Sequence, residues 1–152
     1  METGRVTLTL FTDGACLNNP GPGGWAALIE GAHESTVLSG GCANTTNNRM
    51  ELLAVIKGLE SLNTQAKVSI FSDSKYVIDG VTKYLPRWRA NGWKRSQRKP
   101  VKNLELWQQL DALIAKHRIS WHWVLAHSGI PQNEFVDTLA REEALRFQSE
   151  NS

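Results

Sequence analysis

The hydrophobic pattern changes its period partway along the chain, and that change limits the folds open to it. Residues 6–11 alternate apolar and polar side chains, as a half-buried strand requires. Residues 25–29 and 35–41 predict two more strands, joined by a hairpin near Glu30-Gly31-Ala32. From 48 to 62 the period becomes helical: Leu52, Val55, Ile56, Leu59 and Leu62 fall on one face. Short strands at 68–71 and 119–125 then alternate with helices at 74–82 and 104–114, the latter with Asn103 as its cap. A last helix runs from Pro131 to about Phe147. Consecutive strands favour an antiparallel meander, and strands separated by helices run parallel through right-handed crossovers. The expected fold class is therefore α/β: a mixed five-stranded sheet, antiparallel meander plus parallel strands, flanked by helices.

The length of 152 residues suits one domain, taken as 1–152. No run reaches the ~18 apolar residues of a membrane span, and no basic-then-apolar leader opens the chain. The two cysteines, Cys16 and Cys42, belong to no CxxC pair, which argues against zinc and for two reduced core residues. A cytoplasmic protein is expected, monomeric and without an obligate protein partner. The net charge of +2 hides an asymmetry. No acid lies between Asp79 and Glu105, and that window holds eight of the 17 bases: Lys83, Arg87, Arg89, Lys94, Arg95, Arg98, Lys99 and Lys102. The remaining nine bases face 15 acids.

Four of those acids fall where this topology builds sites. Asp13 follows the first strand and Asp73 the fourth; sites in open α/β sheets form beyond the carboxyl ends of strands, where strand order reverses. Glu51 lies in the first turn of the first long helix, and Asp137 near the start of the last, after a loop holding His127. Each has a local explanation. Asp13-Gly14 is a turn dipeptide; Asn48-x-x-Glu51 has capping-box spacing; Asp73 suits an N-cap; Asp137 and Arg141 are an i,i+4 pair. As a cluster they would need a cation, since two carboxylates ~5 Å apart repel by roughly 3 kcal/mol at an effective dielectric of ~20. All-oxygen donors suit Mg²⁺ or Mn²⁺. The run Asn19-Pro-Gly-Pro-Gly-Gly24 lacks the Gly-Lys-Ser/Thr ending of a phosphate loop and predicts a stiff turn.

Read together, five blocks resemble bacterial type 1 ribonuclease H: Phe11-Thr-Asp-Gly-Ala-Cys16, Asn19–Gly24, Thr45-Thr-Asn-Asn-Arg-Met-Glu51, Ser72-Asp-Ser-Lys-Tyr76, and His127 with Asn133-Glu134 and Asp137. The resemblance covers nearly the whole chain and implies a ribonuclease H-like fold. It implies an endonuclease that cuts the RNA strand of an RNA–DNA hybrid by a two-metal-ion mechanism, leaving 5′-phosphate and 3′-hydroxyl ends. Two Mg²⁺ ions, with Mn²⁺ as a substitute, would be held by Asp13, Glu51, Asp73 and Asp137. His127 would aid proton transfer or product release. Asn19 and Asn48 match positions that meet the hybrid's minor groove, and Thr46 one that holds a DNA-strand phosphate; Asn47 suits the local turn.

The segment at about 83–102 resembles the family's basic protrusion, which would grip the DNA strand. Its candidate contacts are Tyr84, Arg87, Trp88, Arg89, Trp93, Lys94, Arg95, Arg98, Lys99 and Lys102, bases for phosphates and aromatic faces for sugars or bases. Trp107 would add aromatic surface or, like Trp88, pack helices in the core, while Trp25, Trp121 and Trp123 sit in strands and read as core. Ala126, Leu125, Ile130 and Asn44 depart from the family pattern without touching the carboxylates. Two alternatives stay open from the residues alone: a catalytically inactive hybrid-binding module, and another nuclease of the same fold group, integrase- or resolvase-like.

Overall fold

The computed structural model describes residues 6–94 and 99–150. In chain order the elements are β1 (Val6–Cys16), β2 (Gly21–Glu30), β3 (Ser35–Thr45), α1 (Asn47–Glu60), β4 (Ala66–Ser72), α2 (Lys75–Asp79), a π-helical turn (Gly80–Tyr84), α3 (Leu85–Ala90), α4 (Leu104–Ile114), β5 (Arg118–Trp123) and α5 (Pro131–Glu150). The strands form one sheet in the order β3-β2-β1-β4-β5. The first three strands are antiparallel neighbours, and β4 runs parallel to both β1 and β5. This is the mixed sheet that the change of period predicts. Among the described residues no helix is long and apolar enough to cross a membrane.

Strand alternation divides the core between two faces. Leu10 joins Ile29, Val68 and Ile70 beneath Leu52, Val55, Ile56 and Leu59 of α1, where α4 adds Leu106, Trp107 and Leu110. On the other face Phe11, Ala26 and Leu28 meet Val136 and Ala140 of α5. Trp107 is wholly buried, and its ring lies where any side chain at Gly80 would stand. Truncating it to alanine would cost about 3–5 kcal/mol. It therefore belongs to the core and adds no aromatic surface to the protrusion.

Several boundaries differ from expectation, each for a local reason. β1 runs to Cys16 because β2 stays paired with it as far as Cys16↔Gly23, so Asp13-Gly14 is strand and not turn. Gly21–Gly24 likewise open β2, with an irregular register between Gly21 and Gly23. Thr46 caps α1, its hydroxyl accepting from the Arg49 amide at 3.2 Å; Glu51 lies beyond the first turn and forms no capping box. Ser74, not Asp73, caps α2 by accepting from the Val77 amide. Pro86 sits in the first turn of α3, where its missing N–H is harmless. Asn103 does stand at the N-cap of α4, but its side chain caps nothing. Cys42 is exposed on the edge strand β3, and only Cys16 is even half-buried.

Candidate active site

Parallel pairing of β1 with β4 brings two strand ends to one edge of the sheet. Their ladder ends at Thr12↔Ser72, and the next residue on each strand is a carboxylate, Asp13 or Asp73. Beyond that point Asp13 is still held by β2, whereas the chain at Asp73 leaves the sheet. Helix α1 supplies the third acid by crossing β1 at Gly14. A Cβ there would stand 2.5 Å from the Glu51 nitrogen and 2.6 Å from the Met50 carbonyl carbon, so the missing side chain is what admits the helix. As a result, ligand oxygens of Asp13, Glu51 and Asp73 lie within 4.8 Å of one another.

Burial makes this trio electrostatically expensive. Asp13 and Glu51 are each only 5% exposed. Burial, and then the Asp73 charge, push the Asp13 carboxyl up to about 8, although its Oδ1 accepts from the Gly14 amide at 2.9 Å. Burial and the Asp13 charge hold Glu51 well above the usual carboxylate range, and burial raises Asp73. Glu51 Oε2 is buried with no hydrogen-bond partner. A buried acceptor left unpaired costs ~1–3 kcal/mol, and more when charged. Three oxygen donors with one orphaned, and no sulfur or imidazole among them, fit a hard divalent cation.

Asp137 stands outside the trio. Its Oδ2 lies 2.6 Å from Arg141 Nη2, the expected i,i+4 pair, and 3.8 Å from His127 Nδ1. A small cleft joins Asp137 to Asp73, lined also by Ala126, His127, Asn133 and Glu134. His127 is highly exposed and takes a left-handed backbone (φ 57°) in the loop before α5.

A profile of the RNase H family matches residues 5–145. Ribonuclease H of Nitratidesulfovibrio vulgaris is 54% identical over 143 residues, which cover 93% of this chain and 92% of that protein. The chain belongs to the ribonuclease H family. Among solved structures, LC9-RNase H1, described as a type 1 RNase H with the type 2 active-site motif, superposes with a TM-score of 0.85 at 32% identity, covering 95% of this chain and 74% of that one. LC11-RNase H1, solved in complex with an RNA/DNA hybrid, shares the fold with a TM-score of 0.67 at 18% identity, covering 91% of this chain and 97% of that one. The ribonuclease H assignment makes the chain a nuclease and a hydrolase.

The other expected site residues of this ribonuclease H surround the trio unevenly. Asn19 is exposed, with its Oδ1 accepting from the Asn47 amide at 2.9 Å, so Asn47 does serve the local turn. Asn48 is exposed on the first turn of α1. In the protrusion, Trp88 is half-buried among Tyr84, Trp93 and Trp107, at ring distances of 5.9, 6.4 and 5.2 Å. Arg87 lies 5.8 Å from the Tyr84 ring. Arg89 is turned to Asp111, its Nε donating at 2.8 Å, and Lys83 pairs with Asp79. Lys94, Lys99 and Lys102 are exposed; Arg95 and Arg98 lie outside the described residues.

Trp123 is not core. It is 43% exposed, because β5 is the edge of the sheet. Its indole N–H donates to the Asp73 carbonyl at 3.2 Å, and Lys75 Nζ sits 5.1 Å from its ring centre. Neither contact carries a signal in sequence spacing, since Trp123 and Asp73 are 50 residues apart.

Proposed function

We propose that this ribonuclease H is an endonuclease that hydrolyses the RNA strand of RNA–DNA hybrids, leaving 5′-phosphate and 3′-hydroxyl ends. The observation that carries the reading is the Asp13–Glu51–Asp73 trio, three acids within 4.8 Å at a sheet edge, with Glu51 Oε2 buried and unpartnered. An inactive binding module would keep this repulsion facing phosphate without use for it. Asp137 completes a proposed set of four carboxylates for two divalent cations, Mg²⁺ with Mn²⁺ as a substitute. Such a pair of ions supplies the charge that activates a water and stabilises the leaving oxygen of a phosphodiester.

The chain's own residues do the positioning. The close approach at Gly14 fixes Asp13 and Glu51 against each other before any substrate arrives. Asp137 divides its carboxylate between the site and Arg141. His127, whose Nδ1 stands 3.8 Å from Asp137, aids proton transfer or product release. Asn19 and Asn48 reach the minor groove, where short polar groups read the 2′-hydroxyl. The Thr46 hydroxyl accepts from Arg49, so its own proton remains for a DNA-strand phosphate.

The protrusion at about 83–102 holds the DNA strand through Lys94, Lys99 and Lys102, with Arg95, Arg98, Arg87 and the Tyr84–Trp88–Trp93 aromatic surface beside them. Arg89 contributes less, since Asp111 already neutralises it. We read 1–152 as a single catalytic domain acting as a monomer. The free, exposed Cys42 suits a reducing cytoplasm. The test is a labelled RNA–DNA hybrid, duplex DNA and duplex RNA, each with Mg²⁺ or chelator. The reading requires metal-dependent cutting of hybrid RNA; tight binding without cutting, or cutting of DNA junctions, contradicts it.

A further inference from the structure

One face of the parallel part of the sheet is left partly uncovered. β1, β4 and β5 run parallel, and parallel strands are ordinarily covered on both faces. On one side they are covered: Leu10, Val68 and Ile70 lie beneath α1 and α4, with Ile119 and Trp121 of β5 packed against them. On the other side α5 lies over β1, β2 and β3, and Ile130 of the loop before it packs against the Phe11 cluster. Over β5 that side is open, and Arg118, Ser120 and His122 are all exposed on it.

Register orders the open face into three rows that run across the strands. Nearest the acids, Phe11, Phe71 and His122 are partners. Their rings form one near-parallel column: Phe11 and Phe71 have centroids 5.1 Å apart at 18°, and Phe71 and His122 lie 4.6 Å apart at 15°. β5 is the edge of the sheet, so the column starts buried at Phe11 and ends on an exposed imidazole. The second row is hydroxyl: Thr9, Ser69 and Ser120. The third joins Thr7 to two bases, Lys67 and Arg118. No acid stands in any of the three rows.

These rows together select a partner. A nucleobase stacks on an aromatic side chain whatever its identity, and the end of the column offers it a flat ring. The phosphates that follow the base are met by cations and short hydroxyl donors, which the other two rows supply. A duplex keeps its base faces in its own stack, so only unpaired nucleotides can use the ring. A peptide strand added to the β5 edge would bond through its main chain and leave the column unused. We propose that the open face of β4 and β5 is a second nucleic-acid site, where a single strand stacks a base on His122 and lays its phosphates along the hydroxyl and basic rows. The protrusion packs with α1 and α4 on the opposite face of the sheet. The site is therefore separate from the hybrid grip, and it does not depend on the cleavage proposed above.

The test measures binding of labelled oligouridylate and oligothymidylate in chelator by fluorescence anisotropy, the two probes distinguishing RNA from DNA as the strand. It compares wild type with His122→Ala, His122→Tyr and Ser120→Asp. Both positions are exposed, and unchanged affinity for an RNA–DNA hybrid confirms that each variant is folded. Wild type should bind a single strand, and His122→Ala should weaken that binding roughly fivefold or more, the loss of one stacked base. His122→Tyr should restore it, because tyrosine keeps a ring at the end of the column and carries no positive charge. Ser120→Asp should weaken it as well, by setting a carboxylate among the phosphates. The inference is overturned if wild type binds neither strand, or if binding is unchanged in His122→Ala or in Ser120→Asp. A tyrosine variant as weak as the alanine one overturns the stacking, and an equal loss of hybrid affinity in His122→Ala would place the residue in the hybrid groove and overturn the second site.

Discussion

A methyl group at Gly14 would stand 2.5 Å from the backbone nitrogen of Glu51. The clash is with backbone, so no rotamer change relieves it. Gly14→Ala should push α1 away from β1 and draw Glu51 from Asp13. We expect a stability loss of about 1–3 kcal/mol from overpacking and a fall in hybrid cleavage of up to ~100-fold from the displaced carboxylate. Thermal unfolding and cleavage kinetics on the purified variant check both.

Stability without metal should fall as pH rises. Asp13 holds its proton to about pH 8 in the folded protein, against an ordinary value of 3.8. Between those values the folded state binds more protons than the unfolded one, so unfolding becomes easier with each step upward and levels off above about pH 8. Asp13→Asn removes this titration. It should flatten the slope and raise the midpoint at pH 8 by about 2–4 °C for each kcal/mol recovered. Melting curves in chelator from pH 5 to 8 on both proteins read the difference. Mg²⁺ must displace the same proton, so its stabilising effect on wild type should be larger at pH 8 than at pH 5.5.

Arg141 competes for Asp137, whose Oδ2 it meets at 2.6 Å. Arg141 is exposed, and an i,i+4 ion pair of this kind contributes only ~0.3–0.5 kcal/mol. Arg141→Ala should therefore leave the melting temperature almost unchanged. It should also lower the Mg²⁺ concentration needed for half-maximal cleavage, because Asp137 no longer divides its charge. An unchanged metal titration would remove Arg141 from the site.

Much of this site was legible because it follows from order and period. The alternation of 6–11 and the helical spacing of 48–62 predict a mixed sheet, in which Asp13 and Asp73 share an edge if the first and fourth strands are neighbours; the observed strand order makes them so. What escaped depends on tertiary position. Trp123 looks like core from its strand, but β5 is an edge, and an edge side chain can clamp the Asp73 carbonyl instead. Asn103 does cap α4 by position, but that its amide goes to Arg49 and Tyr76 is not visible in the sequence. Thr46 displaces Asn48 as the cap of α1 because the helix starts two residues earlier than an Asn48 cap would place it. The charges of the protrusion are plain in the sequence; that Asp111 occupies Arg89 is not.

Replacing Lys94, Lys99 and Lys102 with alanine should weaken hybrid binding. The slope of log affinity against log salt should fall by roughly one for each phosphate that these bases neutralise. Fluorescence anisotropy across a salt series measures it, and an unchanged slope would show that these bases face solvent in the complex. Arg89→Ala should alter the slope less than Lys94→Ala.

The most direct measurement is cleavage of an RNA–DNA hybrid by Asp13→Asn beside wild type in Mg²⁺, with hybrid affinity measured in parallel. Asparagine keeps the shape and removes the charge that a cation needs, while the basic grip is untouched. We predict that cutting is lost and that affinity stays within about twofold, since phosphate contacts rather than the carboxylates dominate binding. Substantial cutting by Asp13→Asn would show that the buried trio is not the metal-holding centre of the reaction.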